Sequence, residues 1–247
     1  MSRPAPAHAR PYVLDSGHTR CLHFAKHEIQ SQMWLADPYA LALKYTQTMM
    51  GFLLFDPAPA RIGMIGLGGG SLAKFCHRHL PSAQVEVVEI NPQVLAVREL
   101  FQVPDNDERL CIREGDGAEY VRRARDLDVL LVDGYDRSGL PSPLSTENFY
   151  RDCRLALRAG GVLVVNLACA HRQFPLLVAR IRQQFRQQCL VVRDSEERND
   201  IVYAWRGAPP EPSEIAPAGL SAEALKSLAA GLDRVRFAWK LAGGVPR

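Results

Sequence analysis

No segment restricts the fold of this chain more than Met64-Ile-Gly-Leu-Gly-Gly-Gly-Ser71. Its glycines follow a short apolar run and open a helical pattern, so the chain must turn sharply between a buried strand and a helix. Gly66 and Gly68 can take the positive φ such a turn needs, and Gly70 lets the helix approach with no Cβ in the way. A glycine turn that holds no ligand remains the alternative at this point. The next strand sharpens the reading: Gln84-Val-Glu-Val-Val-Glu89 ends in an acid about 20 residues beyond the loop. A carboxylate there can accept hydrogen bonds from both hydroxyls of a ribose. A helix then starts at Asn91-Pro92.

From Arg61 onward, apolar runs alternate with amphipathic stretches, the pattern of a doubly wound α/β sheet. Strands are predicted near 61–66, 84–89, 109–114, 127–133, 161–167, 188–194 and 199–206. Helices fall near 70–80, 92–101, 117–124, 146–158 and 172–185. The last two strands are joined by Ser195-Glu-Glu-Arg198, too short for a crossover helix, so they should pair as an antiparallel hairpin at the sheet edge. The expected fold is therefore a class I methyltransferase-like Rossmann sheet of seven strands, the last hairpin antiparallel, with a small N-terminal β-element. That element spans residues 12–56: a hairpin around Asp15-Ser16-Gly17, a third strand from Glu28 to Leu35, and a helix starting at Asp37-Pro38 and running to Phe55. Residues 1–11, rich in Pro, Ala and Arg, form a disordered tail, 57–206 the nucleotide-binding catalytic domain, and 207–247 a linker and one or two C-terminal helices.

Composition narrows the classes of function. With 47% hydrophobic and 23% charged residues, the 247-residue chain is neither disordered nor fibrous. A net charge of +3 with scattered basic residues gives no footprint for nucleic acid. The six cysteines, Cys21, Cys76, Cys111, Cys153, Cys169 and Cys189, include no CxxC pair and no histidines at ligand spacing, so no metal is expected and most should be buried thiols. No stretch has the apolar length of a signal peptide or membrane span, which leads to a cytoplasmic expectation without a membrane partner. The seven histidines are read as surface or core residues, and Trp34, Trp205 and Trp239 as packing. Arg122, Arg123 and Arg125 are read as a solvated helix end.

Two further motifs carry chemistry. Glu114-Gly-Asp116-Gly117 follows the third strand, where Asp116 can accept from an adenine amino group, cap a helix, or do both. The glycine loop has no P-loop lysine, which argues against a nucleoside triphosphate and leaves adenosine without phosphates or a dinucleotide. After the fourth strand comes Val132-Asp133-Gly-Tyr135-Asp136, two carboxylates three residues apart at the carboxyl end of a central strand. Such a pair can be a solvated loop pair or a cation site. Tyr135 between them can line a substrate or simply pack the loop.

In order along the chain, the N-terminal hairpin, the IGLGGG loop, VEIN at 88–91, GDG at 115–117, VDGYD at 132–136 and LSTENFY at 144–150 resemble the spermidine synthase family of polyamine aminopropyltransferases. The resemblance implies that Asp133 is the base for the attacking amine and that Asp136 helps to hold the polyamine. It also implies Gly66, Gly68, Gly70, Glu89, Asp116 and Gly117 as donor contacts, no metal, and a homodimer. The co-substrate implied is decarboxylated S-adenosylmethionine, or S-adenosylmethionine itself in a methyltransferase. An alkylamine with a pKa of about 10 is mostly protonated at neutral pH, so a carboxylate must attract it and take a proton before it can attack.

Departures from the family are also visible. Gly69 stands where the family carries an aspartate in its glycine loop, so one donor contact is missing. The family's Tyr-Gln-Glu segment is replaced by Gln30-Ser-Gln32-Met33, with Gln32 as the candidate substrate contact. Asn166-Leu-Ala-Cys-Ala lacks the family's polar substrate-contacting residues. The expectation is an aminopropyltransferase acting on a diamine such as putrescine; the alternatives are a methyltransferase or a non-catalytic nucleoside- or polyamine-binding homologue.

Overall fold

The structure is a computed structural model that describes residues 8–25, 28–136, 139–168, 173–193, 199–214, 217 and 219–244. Most of the expected tail, the Ser195–Arg198 connection, Cys169, His27 and His171 lie outside them.

Strands β1 (Tyr12–Ser16), β2 (Thr19–Ala25) and β3 (Glu28–Trp34) pair antiparallel in chain order. Because side chains alternate across a strand, Leu22 and Met33 are buried while Leu14, Ile29 and Trp34 stay exposed. The helix expected from Asp37 starts later: α1 covers Lys44–Met49 and tightens into a 3-10 turn over Met50–Leu54. Asp37 closes a local turn instead, its carbonyl and its Oδ1 both accepting from the Ala40 amide at 3.2 and 3.3 Å. The amide of Leu41 donates to Ser227 Oγ at 2.9 Å, so tertiary partners replace the helical ones before Leu43.

The remaining elements are β4 (Arg61–Ile65), α2 (Ser71–His79), β5 (Gln84–Glu89), α3 (Pro92–Leu95), β6 (Leu110–Glu114), α4 (Gly117–Arg123) and β7 (Leu127–Val132), then α5 (Glu147–Ala156), β8 (Leu157–Ala168), α6 (Phe174–Gln184), β9 (Cys189–Val192), β10 (Asn199–Trp205) and α7 (Ala222–Leu241). The helix expected over 92–101 is split, α3 giving way to a 3-10 turn at Arg98–Phe101. The C-terminal pattern is one helix, with the Ser221 hydroxyl accepting from the Ala224 amide at its start.

The seven strands lie in the order β6-β5-β4-β7-β8-β10-β9. Strands β4 to β8 run parallel, and β10 is antiparallel to both β8 and β9. The sequence of β7, LDVLLV, is buried throughout, as a strand covered on both faces requires. Its Val129 and Leu131 join the core beneath α1, α2 and α7, and its Leu130 and Val132 join the core beneath α4, α5 and α6. No helix among the described residues is long and apolar enough to cross a membrane.

Candidate active site

A parallel sheet brings the carboxyl ends of all its strands to one edge, and the candidate residues follow those ends. Ladder hydrogen bonds continue past the strands: Gly66 N donates to Val88 O at 2.9 Å, Asp133 N to Ile65 O at 2.9 Å and Gly115 N to Glu89 O at 3.0 Å. The glycine loop, Glu89, Asp116 and Asp133 thereby share one edge.

Gly66, Gly68 and Gly70 have φ of +93°, +53° and +70°. At Gly66 a Cβ would strike the carbonyl of Asp133, so glycine lets the glycine loop and the Asp133 loop touch. Glu89 is buried and holds the loop from below. Its Oε2 accepts from Leu67 N at 2.8 Å, and its Oε1 from Asn91 N at 2.9 Å. Burial pushes its carboxyl above the usual value, against those backbone donors. Each oxygen keeps accepting capacity for a ribose hydroxyl. Asp116 is exposed and caps α4, accepting from Ala118 N at 2.7 Å and Glu119 N at 3.4 Å. At Gly117, the first residue of α4, Ile65 fills the space a side chain would need.

Half-buried Asp133 is gripped by two neutral donors. Tyr45 Oη donates to its Oδ2 at 3.0 Å, and Asn166 Nδ2 to its Oδ1 at 2.8 Å. Burial pushes this carboxyl above the usual carboxylate value, and the two hydrogen bonds offset that only in part. Asp133, Tyr45, Thr46, Ser31, Leu43, Gly66, Leu67 and Ser71 line a pocket between α1, β3 and the glycine loop. Asp136 is exposed and bonded through its backbone to Gly139, at 3.0 and 3.1 Å, and Tyr135 Oη donates to the main-chain oxygen of Asn166 at 3.0 Å.

Three residues reach the site that sequence reasoning had not put there. Tyr45 lies within the stretch expected to be helical, and from α1 its hydroxyl reaches Asp133. Asn166, counted with a segment that lacks substrate contacts, holds the candidate base. Ser31, rather than Gln32, meets the glycine loop: its Oγ accepts from Gly69 N at 2.9 Å. Neighbours in a strand face opposite ways, and Gln32 is not among the residues of the pocket wall. The missing loop aspartate also has a steric cause. A Cβ on Gly69 would lie 2.8 Å from Phe101 Cδ1 and 3.0 Å from Ser31 Cβ. Phe101 is held there by buried Lys74, whose Nζ donates to its carbonyl at 2.7 Å. Burial lowers the Lys74 pKa to about 8. Among the described residues no cluster of His, Cys, Asp and Glu could hold a metal.

Residues 42–194 match the family model of the spermine/spermidine synthase domain. The chain is 40% identical over 199 residues to a polyamine aminopropyltransferase of Chromobacterium violaceum, covering 80% of this chain and 76% of that one. A polyamine aminopropyltransferase of Neisseria meningitidis is 39% identical over 202 residues, 81% of this chain and 77% of the relative. Among solved structures, a probable spermidine synthase from Corynebacterium glutamicum superposes with a TM-score of 0.70 at 18% identity, over 95% of this chain and 91% of that one, which speaks for the fold. Pattern, fold and the matched domain agree, and this chain belongs to the spermine/spermidine synthase family.

Proposed function

We propose that this chain is a transferase that moves an aminopropyl group from decarboxylated S-adenosylmethionine to a diamine such as putrescine. The observation that carries this reading is the Asp133 carboxyl, held by Tyr45 and Asn166, with the Asp133 main-chain carbonyl against the Gly66 turn. The glycine loop, with Gly66, Gly68 and Gly70, cradles the adenosyl donor, Glu89 takes the ribose hydroxyls, and Asp116 with Gly117 lies at the adenine edge. Asp133 attracts the ammonium of the diamine and accepts its proton. The freed amine attacks the methylene beside the sulfonium, the carbon–sulfur bond breaks with its electron pair going to sulfur, and methylthioadenosine leaves. Asp136 and Tyr135, at the exposed end of the loop, serve the rest of the diamine. The raised pKa of Asp133 strengthens it as a base, and positioning and electrostatics supply the remaining barrier reduction.

Residues 57–206 form the catalytic unit, 12–56 lend it Ser31 and Tyr45, and α7 within 207–247 braces α1. A homodimer through the N-terminal sheet is supported by the exposed Leu14, Ile29 and Trp34 on that sheet, and light scattering tests it. A reducing, cytoplasmic setting suits the five described cysteines, all free thiols and four of them buried. Incubating purified protein with decarboxylated donor and putrescine should release methylthioadenosine. Absence of release with every di- and polyamine, together with S-adenosylhomocysteine formed from S-adenosylmethionine, would replace this reading with a methyltransferase.

A further inference from the structure

Lys74 is fully buried, and the proposed reaction makes no use of it. Among the described residues the Phe101 carbonyl, at 2.7 Å, is the only acceptor within hydrogen-bond distance of its Nζ, although an ammonium carries three donors. Burying an ammonium with one acceptor works against folding, and the lowered pKa of about 8 reflects that cost. A methionine of similar length would fill the space without it. The place of Lys74 shows what the cost can serve. Its own amide donates to Gly70 O at 2.8 Å, so the residue is tied at one end to the glycine loop and at the other to Phe101. The segment that carries Phe101 lies outside the sheet: α3 is four residues long and gives way to the 3-10 turn at Arg98–Phe101. Arg20 Nη1 fastens the exposed side of that turn through Leu100 O at 2.7 Å, and Lys74 fastens the buried side. The same segment backs the loop. Phe101 Cδ1 lies 2.8 Å from where a Cβ of Gly69 would stand, and Val103 fills the corresponding place at Gly70.

We propose that Lys74 is a positioning residue for the donor: through the Phe101 carbonyl it keeps Phe101 and Val103 against Gly69 and Gly70, and so holds the glycine loop in its binding shape. The inference rests on the reading of that loop as the donor cradle. Glycines make the loop free to leave its strained turn, with φ of +53° at Gly68 and +70° at Gly70. Side chains packed on its outer face remove that freedom before the donor arrives. Without the Lys74 bond the 3-10 turn can draw back, and the donor must then order the loop at the expense of its own affinity. Lys74 touches neither donor nor amine, so its loss should weaken the first and leave the second unchanged.

Stability and donor affinity should therefore move in opposite directions, which a merely structural lysine would not produce. In the full chain, Lys74→Met should unfold at the same or a higher urea concentration than wild type, because a buried ammonium is gone, yet bind methylthioadenosine about tenfold more weakly by calorimetry. With saturating donor, the KM for putrescine should stay within about twofold. Phe101→Leu keeps the carbonyl that Lys74 holds and shortens the side chain that meets Gly69, so it should weaken the same binding. If Lys74 acts through Phe101, the two losses share one cause, and the double variant should bind no more than about twofold more weakly than the weaker single one. Methylthioadenosine affinity within about twofold of wild type in Lys74→Met, a fall in its urea midpoint alongside the affinity, or losses that add in full, each overturns the inference. If circular dichroism shows Lys74→Met unfolded, Lys74→Gln is judged by the same criteria. If the wild-type chain binds no methylthioadenosine, the donor reading of the loop falls; if it binds and the variants miss these marks, only the role of Lys74 falls.

Discussion

Two aspartates at opposite ends of β7 meet opposite fates. Asp128, near its start, accepts from the amides of Ala60 and Arg61 at 2.9 and 2.7 Å and pairs with the Arg158 guanidinium, which also reaches Asp56 at 3.0 Å. Burial pushes its carboxyl up, but Arg158 and the two amides outweigh that and hold it below the usual value. Asp133, just past the other end, has among the described residues only neutral side-chain donors, and there burial wins. A cation and backbone amides make an acid a structural latch; neutral donors leave it with a charge that a cationic substrate can neutralise.

The sharpest way to break this comparison is to neutralise each acid in turn. Asp133→Asn should lower kcat about a thousandfold, as expected for loss of a general base, with unfolding by urea little changed or slightly harder. Comparable turnover in the variant would remove Asp133 from the chemistry. Asp128→Ala should do the reverse. It strips two amides and a guanidinium of their partner and should cost about 3 kcal/mol of stability, while folded protein keeps its specific activity.

The pH dependence separates the two acids further. The carboxyl of Asp133 lies above 3.8 in the fold, so its ionisation works against folding: its contribution to stability falls as pH rises from 3.8 through the folded pKa, and Asp133→Asn abolishes that fall. Asp128 lies below 3.8, so its contribution is complete above 3.8 and is lost as pH drops through the folded pKa. Denaturant titrations at several pH values read both slopes, and matching slopes for the two variants would sink the contrast.

Smaller effects test the surroundings of Asp133. Gly69→Asp forces a side chain against Phe101 and Ser31 and should cost about 2 kcal/mol while weakening methylthioadenosine binding; tighter binding would show that the loop can admit the acid. Tyr45→Phe removes a hydrogen bond from a neutral donor to the ionised base, worth about 1.5 kcal/mol, and should lower kcat/KM roughly tenfold. It should also move the acidic limb of the profile upward, because that bond holds the Asp133 pKa down. An unmoved limb would mean that Tyr45 does not touch the ionised base.

The parts of the site legible in sequence are those whose partners are close in the chain or dictated by the backbone. Glycines behind an apolar run mark the loop, an acid at the end of the next strand marks Glu89, and Asp116 before a helical stretch marks a cap. Tyr45 and Asp133 are 88 residues apart, and Ser31 and Gly69 are 38 apart. Tyr45 fits an apolar helical face, where an aromatic ring reads as core. Gln32 was the candidate from the segment set against the family's Tyr-Gln-Glu, whereas it is the neighbouring Ser31 whose side chain meets the glycine loop, because neighbours in a strand face opposite ways.

What the sequence determined by itself is the alternation of strands and helices, the strand-to-helix turn at Gly66, and the placing of Glu89 and Asp133 at strand ends, since period, glycine and strand polarity are local properties. What tertiary structure alone decided is which acid has its carboxyl pushed up and which has it held down. Asp128 and Asp133 are the same residue type five positions apart, and their difference comes from Arg158, Tyr45 and Asn166, brought in from distant segments. A pKa depends on charges and donors within a few ångströms through space, whatever their separation along the chain.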